Sequence, residues 1–152
     1  MFKHLLVPLD GSPLAEKALP ATLEIASRFD SEITLLRVIQ PPYVLTNVGG
    51  SNYAALFTAL RDQAEEEAKS YLTTQQNSLR QQGYQVHAQM VNGDPIAEII
   101  LQVAETTQAD MIVMSTHGRG GLSRWVYGSV ADRILRHANI PVLLIRNRSE
   151  VH

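Results

Sequence analysis

The apolar patterning of the chain predicts an α/β protein with a five-stranded parallel sheet and helices on both of its faces. Strand-like and helix-like segments alternate in the order βαβαβαβαβ, without a repeat or an internal linker. The 152 residues suit one domain, and we expect a single domain over residues 1–152. Turn segments at residues 9–12, 92–95 and 116–129 follow strands, and such sheets bind ligands beyond the carboxyl ends of their strands.

Five short segments have the composition of strands. They are rich in branched apolar residues, and the segment DMIVMS is so apolar that it predicts a strand buried on both faces. The predicted strands are residues 3–8, 32–39, 84–91, 110–115 and 142–146.

Capping residues and apolar periodicity mark four helical segments between these strands. Ser12 and Pro13 suit the N-cap and the first position of a helix, and Pro20 predicts an irregularity within it. Gly83 closes a long second helix, and Asp94 is the expected cap of the third. The predicted helices cover residues 13–28, 54–82, 96–104 and 129–137.

The bulk composition excludes several classes of protein. With 45% hydrophobic and 18% charged residues the chain can bury a core, and its net charge of −2 argues against general nucleic-acid binding. The absence of cysteine excludes disulfides, thiolate nucleophiles and cysteine metal sites, and it favours a cytoplasmic location. The first residues lack a signal peptide's apolar stretch, and no apolar run reaches about 20 residues, so we expect no membrane partner.

The segment THGRGGLSRWVYGS at residues 116–129 places four glycines between a predicted strand and a predicted helix. Backbone N–H groups bind phosphate well where side chains stay out of the way, and a helix N-terminus adds unpaired N–H groups. Gly128 and Ser129 offer such a helix start. Gly118 offers a second point of approach, and Arg119 adds positive charge. Phosphate binding is one interpretation, and a flexible surface loop whose glycines serve turns is the other.

The glycine spacing differs from the common nucleotide-binding motifs. The chain has no GxxxxGK[ST], no GxGxxG after the first strand and no GxSxG, which argues against a P-loop ATPase, a dinucleotide-binding domain and a hydrolase. The residues Ser115, Gly118, Gly128 and Ser129 instead have the spacing G-x2-G-x9-G-[ST]. This resembles the ATP-binding branch of the universal stress protein family, which carries that motif after its fourth strand. Ser115 stands where the motif has its first glycine.

The resemblance extends over nearly the whole chain. Residues 6–12 (LVPLDGS) resemble the first strand and turn of the family, and residues 93–95 (GDP) resemble the start of its third unit. Residues 110–114 and 140–145 resemble its last two strands. The resemblance implies the strand order 3-2-1-4-5 of the Rossmann-like fold that adenine nucleotide alpha hydrolases also have.

The resemblance, together with the charge of Arg119, gives eleven candidate residues for binding a nucleotide. Asp10 would contact the ribose or a cation near the phosphates, although an aspartate in a turn also bonds its own backbone. Val38 would frame the adenine with its backbone, and Ser115 could hydrogen-bond the ribose. The implied ligand is ATP, with AMP or ADP as alternatives, and Mg²⁺ would accompany it. The candidates are Pro8, Leu9, Asp10, Val38, Met114, Ser115, Gly118, Arg119, Gly128, Ser129 and Val130.

The sequence predicts no catalytic residue and no protein metal site. His117 is the only histidine in the predicted site, where a loop histidine is more often solvated, and the other histidines lack metal-ligand spacing. We therefore expect a nucleotide-dependent sensor or regulator of stress responses with at most slow ATP hydrolysis. The alternative is a homodimeric interaction protein of the same fold that does not bind nucleotide, with Ser115 as the cause. An adenylylating enzyme would need a longer loop than residues 10–13.

The last predicted strand bears on self-association. In the implied strand order it lies at an edge of the sheet, and it is apolar and uncharged, so its unpaired backbone groups need a cover. The resemblance implies a homodimer in which two copies of this strand pair antiparallel. A helix or the C-terminal tail folding over the edge is the alternative. The strand residues concerned are Val142, Leu143, Leu144 and Ile145.

Overall fold

The computed structural model describes residues 1–42, 52–116 and 128–147, which form five strands and five helices. None of the described helices combines the length and the apolarity needed to cross a membrane. The strands are β1 (His4–Pro8), β2 (Glu32–Ile39), β3 (Val86–Asn92), β4 (Met111–Thr116) and β5 (Val142–Arg146). The helices are α1 (Pro13–Glu16), α2 (Leu19–Phe29), α3 (Asn52–Gln81), α4 (Ile96–Thr106) and α5 (Ser129–His137).

The five strands form one sheet in the order β3-β2-β1-β4-β5, and every adjacent pair is parallel. The predicted fold class and the strand order 3-2-1-4-5 are therefore confirmed. The chain runs from β1 outward to β2 and β3, and then returns to the other side of β1 to form β4. The strand order thus reverses between β1 and β4, which is where open α/β sheets bind their ligands. β5 lies at the edge, as predicted.

Helices cover both faces of the sheet. On one face, Leu5 and Val7 of β1 pack in a core with residues of α2 and α3, among them Leu72. On the other face, Leu6 packs in a core with residues of α4 and α5, among them Ile134. Because successive side chains of a strand point to opposite faces, both cores reach β1, and its three central residues are fully buried.

The helix predicted over residues 13–28 is divided into α1 and α2. α1 ends at Glu16, and α2 begins at Leu19. Pro20 has no N–H to donate to the carbonyl of Glu16, and its ring clashes with that carbonyl in a regular helix, so the helix breaks one turn earlier. The expected irregularity is confirmed. Ser12 caps α1 as predicted, since its Oγ accepts from the backbone N–H of Ala15 at 3.2 Å.

Two other helix ends test the capping predictions. Gly83 follows α3 with φ +96°, in the left-handed region that favours glycine, which confirms its closing role. The prediction that Asp94 caps α4 is wrong. Pro95 occupies the cap position with extended backbone, and no side chain caps this helix. Asp94 lies one position too early, and its carboxylate accepts from Nε2 of Gln40 at 2.9 Å.

Candidate functional site

A cavity of about 250 Å³ opens at the carboxyl ends of β1, β2 and β4, against the beginning of α5. It therefore includes the switch point between β1 and β4. The residues that line it are Pro8, Leu9, Asp10, Ser12, Leu14, Ala15, Leu36, Val38, Ile96, Ile100, Met114, Ser115, Thr116, Gly128, Ser129, Val130 and Ala131.

Nine of the eleven candidate binding residues line this one cavity. They come from four separate segments of the chain, which the topology brings to the same edge of the sheet. Gly118 and Arg119 lie outside the described residues. The nine are Pro8, Leu9, Asp10, Val38, Met114, Ser115, Gly128, Ser129 and Val130.

The turn between β1 and α1 holds Asp10 at the mouth of the cavity. Its Oδ1 accepts from the backbone N–H of Ser12 at 2.9 Å and from the hydroxyl of Ser12 at 2.5 Å. The structure thus shows the turn contact that an aspartate makes with its own backbone. These contacts use Oδ1 and fix the carboxylate, which leaves Oδ2 for another partner. Asp10 has the only ionisable side chain among the described residues that line the cavity.

Val38 lies where β2 extends beyond β1. Along a strand, the backbone groups of alternate residues point to opposite neighbours. The carbonyl of Leu36 accepts from the N–H of Leu9 at 2.8 Å on the β1 side, and that of Ile39 accepts from Gly93 at 2.9 Å on the β3 side. The N–H and carbonyl of Val38 therefore face the β1 side. Among the described residues, the bond from Leu9 is the last hydrogen bond between the β1 segment and β2, and Val38 lies beyond it.

Ser115 makes a contact that the sequence did not predict. Its hydroxyl donates to the carbonyl of Leu14 in α1 at 2.7 Å, across 101 positions of the chain. This bond ties the end of β4 to α1, and both residues line the cavity. The hydroxyl hydrogen is therefore engaged within the protein, and a ribose could use Ser115 only by donating to its oxygen.

The beginning of α5 faces the cavity without a side-chain cap. Gly128 is the N-cap residue, with φ −51° and ψ 152°, and no side chain of the described residues caps the first turn. The first helical bond runs from Asp132 N–H to the Gly128 carbonyl at 3.0 Å. The N–H groups at positions 129–131 therefore have no acceptor within the helix, and all three residues line the cavity.

Gly128 has no structural reason to be glycine within the described part of the chain. Its φ is negative, and a Cβ at this position would meet nothing within 4 Å. No described residue occupies the space that a side chain would fill at the helix start. An open space next to unpaired N–H groups is what a bound anion requires.

The floor of the cavity contains apolar residues that sequence reasoning assigned to the core or did not single out. Leu36, Ile96 and Ile100 belong to the core on the α4 and α5 face or pack against it, and they also line the cavity. Leu36 could have been found, because it lies two positions before Val38 on the same face of a strand. The other lining residues that were missed are Ser12, Leu14, Ala15, Thr116 and Ala131.

The fold and the cavity define an α/β protein with a cavity at the switch point of a parallel sheet. A model of the Universal stress protein family matches residues 1–146, and the chain belongs to this family. A universal stress protein of Methanocaldococcus jannaschii is 32% identical over 147 residues, covering 96% of this chain and 83% of the relative.

Solved structures agree with this assignment. The structure of another M. jannaschii protein of the family is 29% identical, with a TM-score of 0.79 and coverage of 99% of both chains. A family protein from Arabidopsis thaliana, solved with AMP bound, is 21% identical, with a TM-score of 0.68 and coverage of 97% of this chain and 94% of that one. At that identity the Arabidopsis structure supports the fold alone.

Proposed function

We propose that this protein binds ATP in the cavity at the switch point and acts as a nucleotide-dependent sensor or regulator in a stress response. The observation that carries the proposal is the beginning of α5. Among the described residues, its first N–H groups have no acceptor, and they lie at the cavity beside Gly128, where no described residue requires glycine. A helix N-terminus of this kind favours a phosphate.

The rest of the cavity suits a nucleoside. Its floor, with Leu36, Ile96 and Ile100, offers apolar surface to a flat base. The N–H and carbonyl of Val38 have the donor and acceptor that could pair with the edge of an adenine. Asp10 Oδ2 could accept from a ribose hydroxyl, and the ribose would lie over Met114 and Ser115. The Arabidopsis family member was solved with AMP bound, and we propose an adenine nucleotide for the cavity of this protein as well.

A binding role fits the site better than a catalytic one. Fast hydrolysis needs a group that activates water, and Asp10 is the only ionisable side chain that lines the cavity within the described residues. Its Oδ1 is already occupied by Ser12. When phosphates supply most of the ligands of Mg²⁺, one protein carboxylate is enough, and Asp10 would provide it. We propose at most slow hydrolysis.

The alternative function is a homodimeric interaction protein that does not bind nucleotide. One observation favours it: Ser115 replaces the first glycine of the family motif, and its side chain takes up space at the end of β4.

The cytoplasmic location and the single domain over residues 1–152 also stay predictions.

Calorimetric titration of the purified protein separates these functions. We expect binding of ATP, ADP and AMP, each measured with and without Mg²⁺, and weaker binding of GTP, whose base presents the wrong edge to Val38. Extraction of the purified protein should release adenine nucleotides. No heat of binding together with an empty extract would contradict the proposal and leave the interaction function.

We also propose a homodimer through β5. Ile112 donates to the carbonyl of Pro141, and Asn147 donates to Thr116, so the odd-numbered residues of this segment face β4. The N–H of Leu144 therefore faces the free edge of the sheet. Proline at residue 144 removes this donor without removing a bond to β4.

The Leu144→Pro variant tests the dimer. We expect it to sediment as a monomer, because an antiparallel partner loses a central hydrogen bond and meets the proline ring. Leu144→Ala is the matched control, since it loses the same side-chain packing but keeps the N–H, and it should remain dimeric. A wild-type protein that sediments as a monomer would contradict the proposal.

A further inference from the structure

A second group of polar residues lies behind the cavity, on the opposite face of the sheet. Arg37 belongs to β2, Glu16 to α1, and Tyr71 and Gln75 to α3. Nε2 of Gln75 donates to Oε1 of Glu16 at 2.6 Å, which joins α3 to α1. We call these four residues the Arg37 cluster. Because neighbouring residues of a strand point to opposite faces, Arg37 and the cavity residues Leu36 and Val38 share one strand but not one side.

Arg37 packs against the turn that carries Asp10. Gly11 has φ +84°, in the left-handed region, and a Cβ at this residue would lie 2.6 Å from Nη1 of Arg37. The backbone conformation favours glycine here, and a side chain at this position would displace the guanidinium group. The positive charge of Arg37 is held next to the residue that follows Asp10, outside the lining of the cavity.

One nitrogen of the guanidinium group lacks, among the described residues, the partner that a buried donor normally has. Nη1 of Arg37 is buried without a hydrogen bond, and no ion pair among the described residues includes Arg37. The buried hydroxyl of Tyr71 also lacks a hydrogen bond of normal geometry, although Glu16 is close. Burial, followed by the charges of Glu16 and Asp10, raises the pKa of Tyr71 to about 12, and Arg37 opposes this shift. Arg37 and Asp10 therefore lie in one electrostatic environment.

Arg37 is not explained by the stability of the fold. A buried donor without an acceptor reduces the free energy of unfolding by about 1–3 kcal/mol. We propose that Arg37 is a positioning residue of the nucleotide site, which supports the Asp10 turn through Gly11 and supplies positive charge that offsets Asp10 and the bound phosphates. The proposal rests on the proposed function, because phosphate is the anion that this charge serves.

The effect of the Arg37 charge on affinity should increase with the negative charge of the ligand. At roughly 12 Å and a dielectric constant of about 80, one unit charge changes affinity about 1.8-fold for each unit of ligand charge. ATP without Mg²⁺ carries more negative charge than its Mg²⁺ complex or AMP. Loss of Arg37 should therefore weaken metal-free ATP most, and Mg²⁺ should restore part of the affinity.

Two substitutions at this position and one control test the proposal. In Arg37→Met we expect the unfolding midpoint to stay the same or rise. Its affinity for metal-free ATP should fall about tenfold, and its affinity for AMP and for ATP with Mg²⁺ about threefold. Arg37→Lys keeps the charge and should retain metal-free ATP affinity within about threefold. The control is Arg28→Met, since Arg28 is exposed on α2 and paired with Glu24, and it should leave the affinity unchanged.

Several outcomes would overturn the proposal. One is an Arg37→Met protein that loses stability and binds ATP as the wild type does, because Arg37 would then be a structural residue. Another is a loss of affinity in Arg37→Met that is equal for ATP and AMP and that also occurs in Arg37→Lys. If the wild-type protein binds no nucleotide, the proposed function fails separately. A loss of stability in Arg37→Met would then show that the arginine supports the fold.

Discussion

The two ends of the sheet use similar polar groups in different ways. At the amino end, Oδ2 of Asp110 accepts from the backbone N–H groups of Lys3 at 2.7 Å and His4 at 2.9 Å. The ring of His4 contacts the carbonyl of Thr107 at 3.0 Å and the hydroxyl of Thr34 at 2.7 Å. At the carboxyl end, no described side chain caps α5, and the backbone of Val38 extends beyond β1. One end closes its polar groups on one another, and the other end leaves them open.

We infer from this difference that the amino end holds the fold and that the carboxyl end serves the proposed ligand. The carbonyl of Thr107 can only accept, so Nδ1 of His4 carries a hydrogen, and both ring nitrogens have partners. Buried polar groups cost free energy unless they are paired, which makes the paired end a source of stability. The open end lacks that source of stability, which fits the ligand binding that we propose for it. Substitutions at the amino end should therefore change unfolding, and those at the carboxyl end should change affinity.

The largest expected effect is at Gly128. In Gly128→Val we expect the affinity for ATP to fall about 100-fold, which is about 2.7 kcal/mol, because a branched side chain fills the space that the phosphates need. The unfolding midpoint should change little, since the backbone conformation suits valine and a Cβ meets nothing within 4 Å. Titration calorimetry and thermal unfolding measure the two quantities. A folded Gly128→Val protein with wild-type affinity would place the phosphates elsewhere.

The next effect belongs to the amino end. In Asp110→Ala we expect the free energy of unfolding to fall by about 2 kcal/mol, because two backbone N–H groups lose their acceptor. Urea unfolding measures this change, and ATP affinity should stay within about twofold. Asp62→Ala is the control, since this exposed aspartate of α3 has only an ion pair of 3.8 Å with Arg61. A loss of affinity without a loss of stability would break the contrast between the two ends.

The sequence predicted the fold closely because its signals are local. The apolar strands, the cap at Ser12 and the break before Pro20 each depend on a few adjacent residues. The helix predicted to begin at Ser129 begins there in the structure. Asp94 shows the limit of such reasoning. The cap position of α4 lies one residue later than predicted, so Pro95 occupies it instead of Asp94.

The sequence singled out nine residues that line one cavity, but it did not predict their contacts. Its glycines and its turns are visible as spacing. The bond from Ser115 to Leu14 and the approach of Arg37 to Gly11 join residues that are far apart in the chain, and only packing decides them. The apolar floor was missed for a related reason, because Ile100 has the same periodicity whether it faces a core or a cavity.

A smaller effect sharpens the contrast at high pH. The pKa of Tyr71 is raised to about 12 from 10.0, so above pH 10 the unfolded chain loses this proton before the folded one does. Stability should therefore fall as the pH rises from 10 through 12, by about 1 kcal/mol after allowance for solvent screening. Tyr71→Phe should remove this part of the decline in urea unfolding. Tyr84→Phe, which leaves the Arg37 cluster intact, should show the wild-type decline, and equal curves for the wild type and Tyr71→Phe would contradict the assignment.

The smallest effect is expected at Ser115, which lies at the open end but bonds within the protein. In Ser115→Ala we expect the free energy of unfolding to fall by about 1 kcal/mol, because the carbonyl of Leu14 loses its donor. ATP affinity should stay within about threefold, since the hydroxyl hydrogen is not available to a ligand. Ser70→Ala, on the exposed side of α3, is the control for both measurements. A loss of more than about tenfold in affinity would show that the ribose bonds to Ser115, and the boundary between binding and structural residues would then lie deeper in the cavity.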